Sequence, residues 1–399
     1  MRIGIYNRWL RVLGGGERFT LCLAQILSRD NEVCVISQYQ VKPEEIQARL
    51  GIDVTDIKFE VWPNLPDEDL SKFTVHFDLF INASHMSALL PCATRNILIV
   101  YFPSWSGREW WQPLLSRLNQ DVVWPLLRIE AFRTALEKLM PDVFARLQRI
   151  PSLHFREALK RYDLICAISH FTQQWIAKYW GLPSEILYPP VDIEKFIPLE
   201  KRNIILNVGR FFSGGHNKKQ LEMVRAFKHL CNTKRLQGWE LHLVGHTSCG
   251  FRHKRYLEKV RAEAEGYPVF FHLNAPFEVL QQLYGQAKIY WHASGYGEDI
   301  SRHPDRFEHF GISIVEAMAA GCVPVVIGKA GQKEIVINHV TGFLWETVEE
   351  LMDYTEELAR NPVLWAKISQ MAISRAQDFS KDVFASRVYE LMLNAEKKG

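Results

Sequence analysis

The 399-residue sequence has no uninterrupted apolar run near the ~20 residues that a membrane-spanning helix requires. It also has no CxxC spacing and no large excess of charge of either sign. Its seven cysteines (Cys22, Cys34, Cys92, Cys166, Cys231, Cys249 and Cys322) are scattered and odd in number. That pattern argues against a disulfide framework or a zinc site and predicts reduced, buried thiols. A formal net charge of +3 supplies no general attraction for nucleic acid, and no nucleic-acid partner is expected. The opening stretch MRIGIYNRWL reads directly as a strand and lacks the positive-then-apolar order of a secretory signal. The expectation is a cytoplasmic protein, peripheral on the cytoplasmic membrane face if it meets a membrane.

What is present is an α/β pattern in two series. A hydrophobic content of 47% with 12% aromatics is enough for well-packed cores, and the length predicts two domains. Apolar runs at 3–6, 33–37, 78–82, 97–102 and 163–169 read as buried parallel strands separated by amphipathic helices. Between the first two runs, Leu23, Ile26 and Leu27 share one helix face. The Pro- and charge-rich stretch 188–203 reads as a linker. A second series follows, with strands expected at 203–209, 240–245, 268–273, 288–293 and 323–328. Two such series predict two Rossmann-like doubly wound domains facing a cleft, with ligands outside the carboxyl ends of the strands. Residues 104–161 interrupt the rhythm with SWSGREWW and with ten Lys/Arg against six Asp/Glu. Aromatic and basic residues together suit a membrane surface; an ordinary helical insertion with core tryptophans is the competing reading.

Three stretches carry candidate chemistry. In LGGGERF (13–19), Gly15 and Gly16 let backbone N–H groups approach an anion at a helix start, although the pattern is neither GxGxxG nor a P-loop. In NVGRFFSGGHNKKQ (207–220), Arg210 and Lys218, with Lys219 as the adjacent alternative, can neutralise a diphosphate. In EHFGISIVEAMAAG (308–321), Glu308 could merely cap a helix, but Glu316 lies too deep for capping. The backbone N–H groups of Phe310, Gly311 and Ile312 are expected to face the cleft. Carboxylates beside a diphosphate are better placed to accept from hydroxyls. A ligand with a central diphosphate and hydroxylated rings at both ends, a nucleotide sugar, suits the whole set. His292, His303 and His309 crowd the same region, but their spacing matches no usual metal-ligand pattern, so no metal is expected.

These motifs, with SHFTQQWIAKYWG, ILYPPVD and AGQKEIVINHVTGFLW, resemble the retaining glycosyltransferases of family 4 over nearly the whole chain. The EHFGI…VEAMAAG form is similar to the asparagine-linked-glycan mannosyltransferase branch. The resemblance implies the GT-B fold and a metal-independent hexosyltransferase with no cofactor beyond its UDP- or GDP-hexose donor. The acceptor would be a glycan, glycolipid or lipid-linked saccharide hydroxyl, with peripheral membrane contact through 104–161. It implies an acceptor domain over 1–190 and a nucleotide-sugar domain over 191–378. A final helix over 379–399 would pack back on the first domain. By motif position, Glu308 would contact the donor sugar and Glu316 the ribose, while Arg210 and Lys218 would hold the diphosphate. The Gly15–Gly16 turn would approach phosphate or acceptor. Two departures stand out: Ala330 occupies the first glycine of the usual GG-x-x-E loop, which ends here at Glu334, and Tyr101 stands where many relatives carry a histidine. His85 is the nearest upstream histidine. A GT-B epimerase or phosphorylase, or a non-catalytic nucleotide-sugar-binding subunit, would share much of this pattern.

Overall fold

A computed structural model describes residues 1–63, 65, 67–85, 87, 89–103, 117–118, 122–127, 129–140, 143, 155–246 and 250–396. The chain forms two compact units, Met1–Leu187 together with the chain from Val388 onward, and Tyr188–Arg387.

The first unit is built on seven strands: β1 (Arg2–Tyr6), β2 (Glu32–Ser37), β3 (Lys58–Val61), β4 (Leu79–Asn82), β5 (Arg95–Val100), β6 (Leu164–Ala167) and β7 (Glu185–Ile186). Their order is β3-β2-β1-β4-β5-β6-β7, and every pairing is parallel. The inner strands are buried on both faces, which is why they read as continuous apolar runs. The helix Gly15–Leu27 buries Leu23, Ile26 and Leu27. The edge strands β3 and β7 have no such run: KFEV is largely exposed and Glu185–Ile186 is only two residues long. Edge strands gain little by being apolar.

The second unit contains β8 (Arg202–Val208), β9 (Glu240–Gly245), β10 (Val269–Leu273), β11 (Ala287–His292), β12 (Val323–Ile327) and β13 (Phe343–Trp345). They lie in the order β10-β9-β8-β11-β12-β13, again all parallel. One face of this sheet packs Leu241, Leu243, Ile289 and Trp291 with Met223 and Phe227 of the helix Gln220–Asn232. The stretch read as a linker is packed as well: Val191, Ile193 and Phe196 are buried, and the Val191 N–H donates to Phe379 O at 3.0 Å. The last helix, Lys381–Glu396, begins in the second unit and ends in the first, where the Tyr389 hydroxyl donates to Ile26 O at 3.4 Å.

In each sheet the chain runs outward along one side and then returns to the far side of its first strand. The order therefore reverses between β1 and β4, and between β8 and β11. Loops diverge at such a point and leave room for a ligand at the strand ends. In the second unit the room depends on glycines. A Cβ on Gly245 would lie 2.1 Å from Gly209 O, so β9 can approach the loop after β8 only without a side chain there. Gly245→Ala is therefore expected to cost about 3 kcal/mol in urea unfolding through overpacking. It should also displace the loop that carries Arg210 and Lys218.

Candidate functional site

The switch point between β8 and β11 collects the charged residues of the second unit. After β8 the chain passes Gly209 and Arg210 into a loop knotted by Asn217. The Asn217 side chain donates to Phe212 O at 2.7 Å and accepts from the Lys219 N–H at 2.5 Å. Lys218 folds back across Gly209, where a Cβ would lie 2.7 Å from its Cγ. Lys219 adopts a left-handed conformation (φ 58°) immediately before the helix Gln220–Asn232.

The structure separates the two lysines. The Lys218 ammonium donates to Glu308 Oε2, whereas Lys219 Nζ pairs with Glu298 Oε1 at 2.8 Å. Glu298 also takes Arg306 at 3.0 Å, so Lys219 anchors the excursion between β11 and the Glu308 segment. Arg210 is exposed, with its guanidinium 5.8 Å from the centre of the Phe212 ring.

Glu308 receives a second donor that the sequence reading did not place in the site. His292, the last residue of β11, is buried and brings Nε2 to 3.0 Å from Glu308 Oε2. Its other ring nitrogen faces Gln332 Nε2 at 3.4 Å. Burial alone would raise the Glu308 pKa. The Lys218 charge, the His292 hydrogen bond and nearby His216 overcome that and hold it well below the usual carboxylate range. Burial lowers the His292 pKa, against the pull of Glu308, so the imidazole favours the neutral form.

Gly311 follows with φ 119°, a conformation that suits glycine, and starts the helix Ile312–Ala319. Its carbonyl accepts from the N–H groups of Ile314 and Val315. Phe310 is buried against Tyr188, with ring centres 5.5 Å apart, and Ile312 is half-buried. Glu316 is buried one turn into the helix and accepts the Tyr284 hydroxyl at 2.9 Å. The AGQKE loop supports the Glu308 segment from beneath: the Gly331 N–H donates to Glu308 O at 3.0 Å. A Cβ on Gly331 would lie 2.6 Å from Phe310 Cα. Ala330 carries φ 51°, which explains why glycine is the expected residue there. The Glu334 carboxylate accepts the Tyr188 hydroxyl at 3.1 Å.

Gly15 and Gly16 belong to the first unit, at the start of the helix Gly15–Leu27. The Glu17 carboxylate accepts the Gly14 N–H at 2.7 Å and closes the turn. The Tyr101 hydroxyl donates to Gly16 O at 2.9 Å, and a Cβ on Gly16 would lie 3.3 Å from the tyrosine ring. Burial raises the Tyr101 pKa, so the phenol stays protonated and braces the glycine turn. His85 lies edge-on to Tyr101, ring centres 6.4 Å apart. Among the described residues, no group of three or more His, Cys, Asp or Glu could hold a metal ion.

Taken by itself, the second unit offers a carboxylate held in ionised form, a lysine and an exposed arginine beside a glycine-led helix start. Residues 191–378, within this unit, match the family described as glycosyl transferases group 1. The GDP-Man:Man(3)GlcNAc(2)-PP-Dol alpha-1,2-mannosyltransferase of Homo sapiens is 29% identical over 252 residues, 57% of this chain and 47% of that protein. The chain spans about half the length of the curated relatives it matches. Anabaena HepE, in complex with UDP and glucose, is similar with a TM-score of 0.68 at 16% identity, covering 98% of this chain and 99% of that one. A glycosyltransferase from Rickettsia africae gives a TM-score of 0.67 at 16% identity, covering 100% of this chain and 99% of that one. The fold is that of the GT-B glycosyltransferases, with two parallel-sheet α/β domains.

The charge pattern fixes a pH response. His292 has a folded pKa below its unfolded value of about 6.5, so it costs stability as pH falls through that value. Glu308, with a depressed folded pKa, contributes stability above its unfolded value of about 4.3 and loses it as pH falls further. Urea titrations from pH 8 to 3 should show stability falling in two stages. His292→Gln should reduce the first stage and Glu308→Gln remove part of the second. Glu308→Gln should also cost about 3 kcal/mol at pH 7 by leaving Lys218 without its counter-charge.

Proposed function

We propose that the protein is a metal-independent, retaining glycosyltransferase of the family 4 kind that transfers a hexose from a nucleotide-diphosphate sugar to an acceptor hydroxyl. The mannosyltransferase relatives favour mannose from GDP-mannose and a lipid-linked glycan as acceptor. The observation that carries the reading is the Glu308 carboxylate, clamped through Oε2 by Lys218 and His292 at the switch point of the second sheet. Both contacts use Oε2, which leaves Oε1 for a sugar hydroxyl. Glu316, one turn into the following helix, would accept the ribose hydroxyls of the same donor. Arg210 would meet the diphosphate, and Lys218 would share itself between Glu308 and the departing phosphate. The N–H groups of Phe310, Gly311 and Ile312 would add donors to the phosphates. The Gly15–Gly16 turn of the first unit would serve phosphate or acceptor.

In the reaction, the bond from the anomeric carbon to the donor phosphate oxygen breaks, and a bond to the acceptor oxygen forms on the same face. The acceptor proton passes to the departing phosphate oxygen, so no protein base is required. Cationic side chains that stabilise the departing diphosphate supply the electrostatic part of catalysis. With GDP-mannose and a lipid-linked oligosaccharide, Arg210→Ala and Glu316→Gln should each lower transfer by roughly 10²- to 10³-fold. Their urea midpoints should stay near wild type. Full turnover in both variants would overturn the assignment.

The acceptor also bears on location. No helix among the described residues is long and apolar enough to cross a membrane. A peripheral contact through 104–161 is our reading. Leu126, Ile129, Phe132, Leu139 and Met140 are exposed there, in the company of basic residues. Trp105, Trp110 and Trp111, which the sequence points to, lie outside the described residues. Replacing all three with serine should weaken co-sedimentation with anionic phospholipid vesicles several-fold; unchanged sedimentation would count against the contact.

A further inference from the structure

Glu308 is held by more than its lysine. Behind it runs a line of side chains drawn from four separate loops or strand ends: Lys218 after β8, His292 at the end of β11, Glu308 before the helix Ile312–Ala319, and Gln332 after β12. The hydrogen-bond directions along this line are determined by one group that has no choice. Ser294 O can only accept, and it lies 3.2 Å from the Gln332 side-chain amide, so the end of that amide facing it must be Nε2. The same Nε2 faces His292 Nδ1 at 3.4 Å, which makes Nδ1 the acceptor. The ring proton then sits on Nε2 and points at Glu308 Oε2, 3.0 Å away. Gln332 and His292 are both buried, so bulk water has little access to scramble this order.

We propose that His292 and Gln332 are positioning residues that lock Glu308 in one rotamer, with Oε2 occupied and Oε1 presented to the sugar of the donor. This rests on the donor-binding reading above. Gln332 fixes the tautomer of His292, and the tautomer fixes the carboxylate. Lys218 alone cannot do this. An ammonium is a rotating point charge with three equivalent donors, and it is also drawn toward the donor's phosphates. When Lys218 engages a phosphate, the imidazole N–H is what keeps Oε2 from swinging round to compete for the sugar.

Two measurements test the proposal, and the first needs no ligand. In long-range proton–nitrogen spectra of the full chain labelled at histidine, the His292 signals are those lost in His292→Gln. They should report the neutral ring with its proton on Nε2, and Gln332→Ala should shift the Nδ1 signal. A ring protonated on Nδ1, or no shift in the Gln332 variant, overturns the arrangement.

The second is calorimetric titration with GDP-mannose and with GDP alone. His292→Ala should weaken GDP-mannose binding by about 10- to 100-fold and GDP binding by less than about threefold. His292→Gln, which keeps a side-chain N–H donor and guards against a folding defect in the alanine variant, should recover most of the loss. Equal losses for both ligands, or no loss for either, overturn the positioning role, because a purely structural defect would not single out the sugar. Wild-type protein that binds neither GDP-mannose nor UDP-glucose would instead overturn the donor reading, while the spectra would still decide the tautomer.

Discussion

The organisation of the second unit turns on one ion pair. Lys218 and Glu308 are ninety residues apart in sequence and meet where the strand order reverses, each largely shielded from water. Taking two charges out of water costs several kcal/mol per ion before their attraction is counted, so such a pair is a poor device for stability alone. Its neighbours are arranged to make it tolerable. His292 adds a hydrogen bond to the same oxygen, Gly209 clears a path for the lysine stem, and Gly331 brings its own N–H beneath the Glu308 carbonyl. Constraints of this kind at the carboxyl edge of the strands fit the proposed binding of a charged ligand there.

The first unit handles the same topological position differently. Its switch point lies between β1 and β4, and polar side chains there are spent on one another. Buried Arg8 pairs with Asp67 and donates to the Tyr6 hydroxyl at 3.3 Å, while Asp67 also accepts from Ser87 at 3.1 Å. Asn82 donates to the Tyr162 hydroxyl at 2.8 Å. The strand ends are thus cross-linked into a stiff rim, from which the glycine turn projects under Tyr101. The tyrosine that replaces the expected histidine is accordingly a brace. Its hydroxyl hydrogen is committed to Gly16, and burial keeps it from ionising. A displacement in which the departing phosphate takes the acceptor proton is compatible with that loss of a titratable group.

Much of this was legible in the sequence because buried parallel strands are written as short apolar runs, and ten such runs coincide with observed strands. The three missed strands, β3, β7 and β13, are edge strands of two to four residues, too short to stand out as runs. The candidate residues Arg210, Lys218 and Glu308, on loops at strand ends, and Glu316, in the helix that follows, could be named from spacing and charge. What spacing could not supply was partnership. His292 was visible as one of several histidines, yet only the three-dimensional path of β11 sets its ring against Glu308. Its position as the final residue of an apolar strand was the available signal, since strand carboxyl ends in doubly wound sheets face the ligand. Gln332 and Tyr284 gave none: a glutamine opening a four-residue helix and a tyrosine in a longer one are unremarkable until their polar atoms are found buried against His292 and Glu316.

The adjacent lysines show how backbone geometry resolves what composition leaves ambiguous. Lys218 and Lys219 have the same chemistry, and a sequence argument can treat them as alternatives. Lys219, however, has positive φ, a conformation that costs a non-glycine residue roughly 1 kcal/mol or more. That turn sends consecutive side chains to different partners, Lys218 across Gly209 to Glu308 and Lys219 to Glu298. A glycine at 219 would relieve the strain but release the excursion that Glu298 and Arg306 hold in place. The strained lysine holds its own ion pair, and its neighbour is the one set against Glu308. Identical residues side by side thus hold different partners, Lys219 anchoring the excursion through Glu298 and Lys218 meeting the candidate carboxylate Glu308, and the left-handed turn at Lys219 is the physical cause.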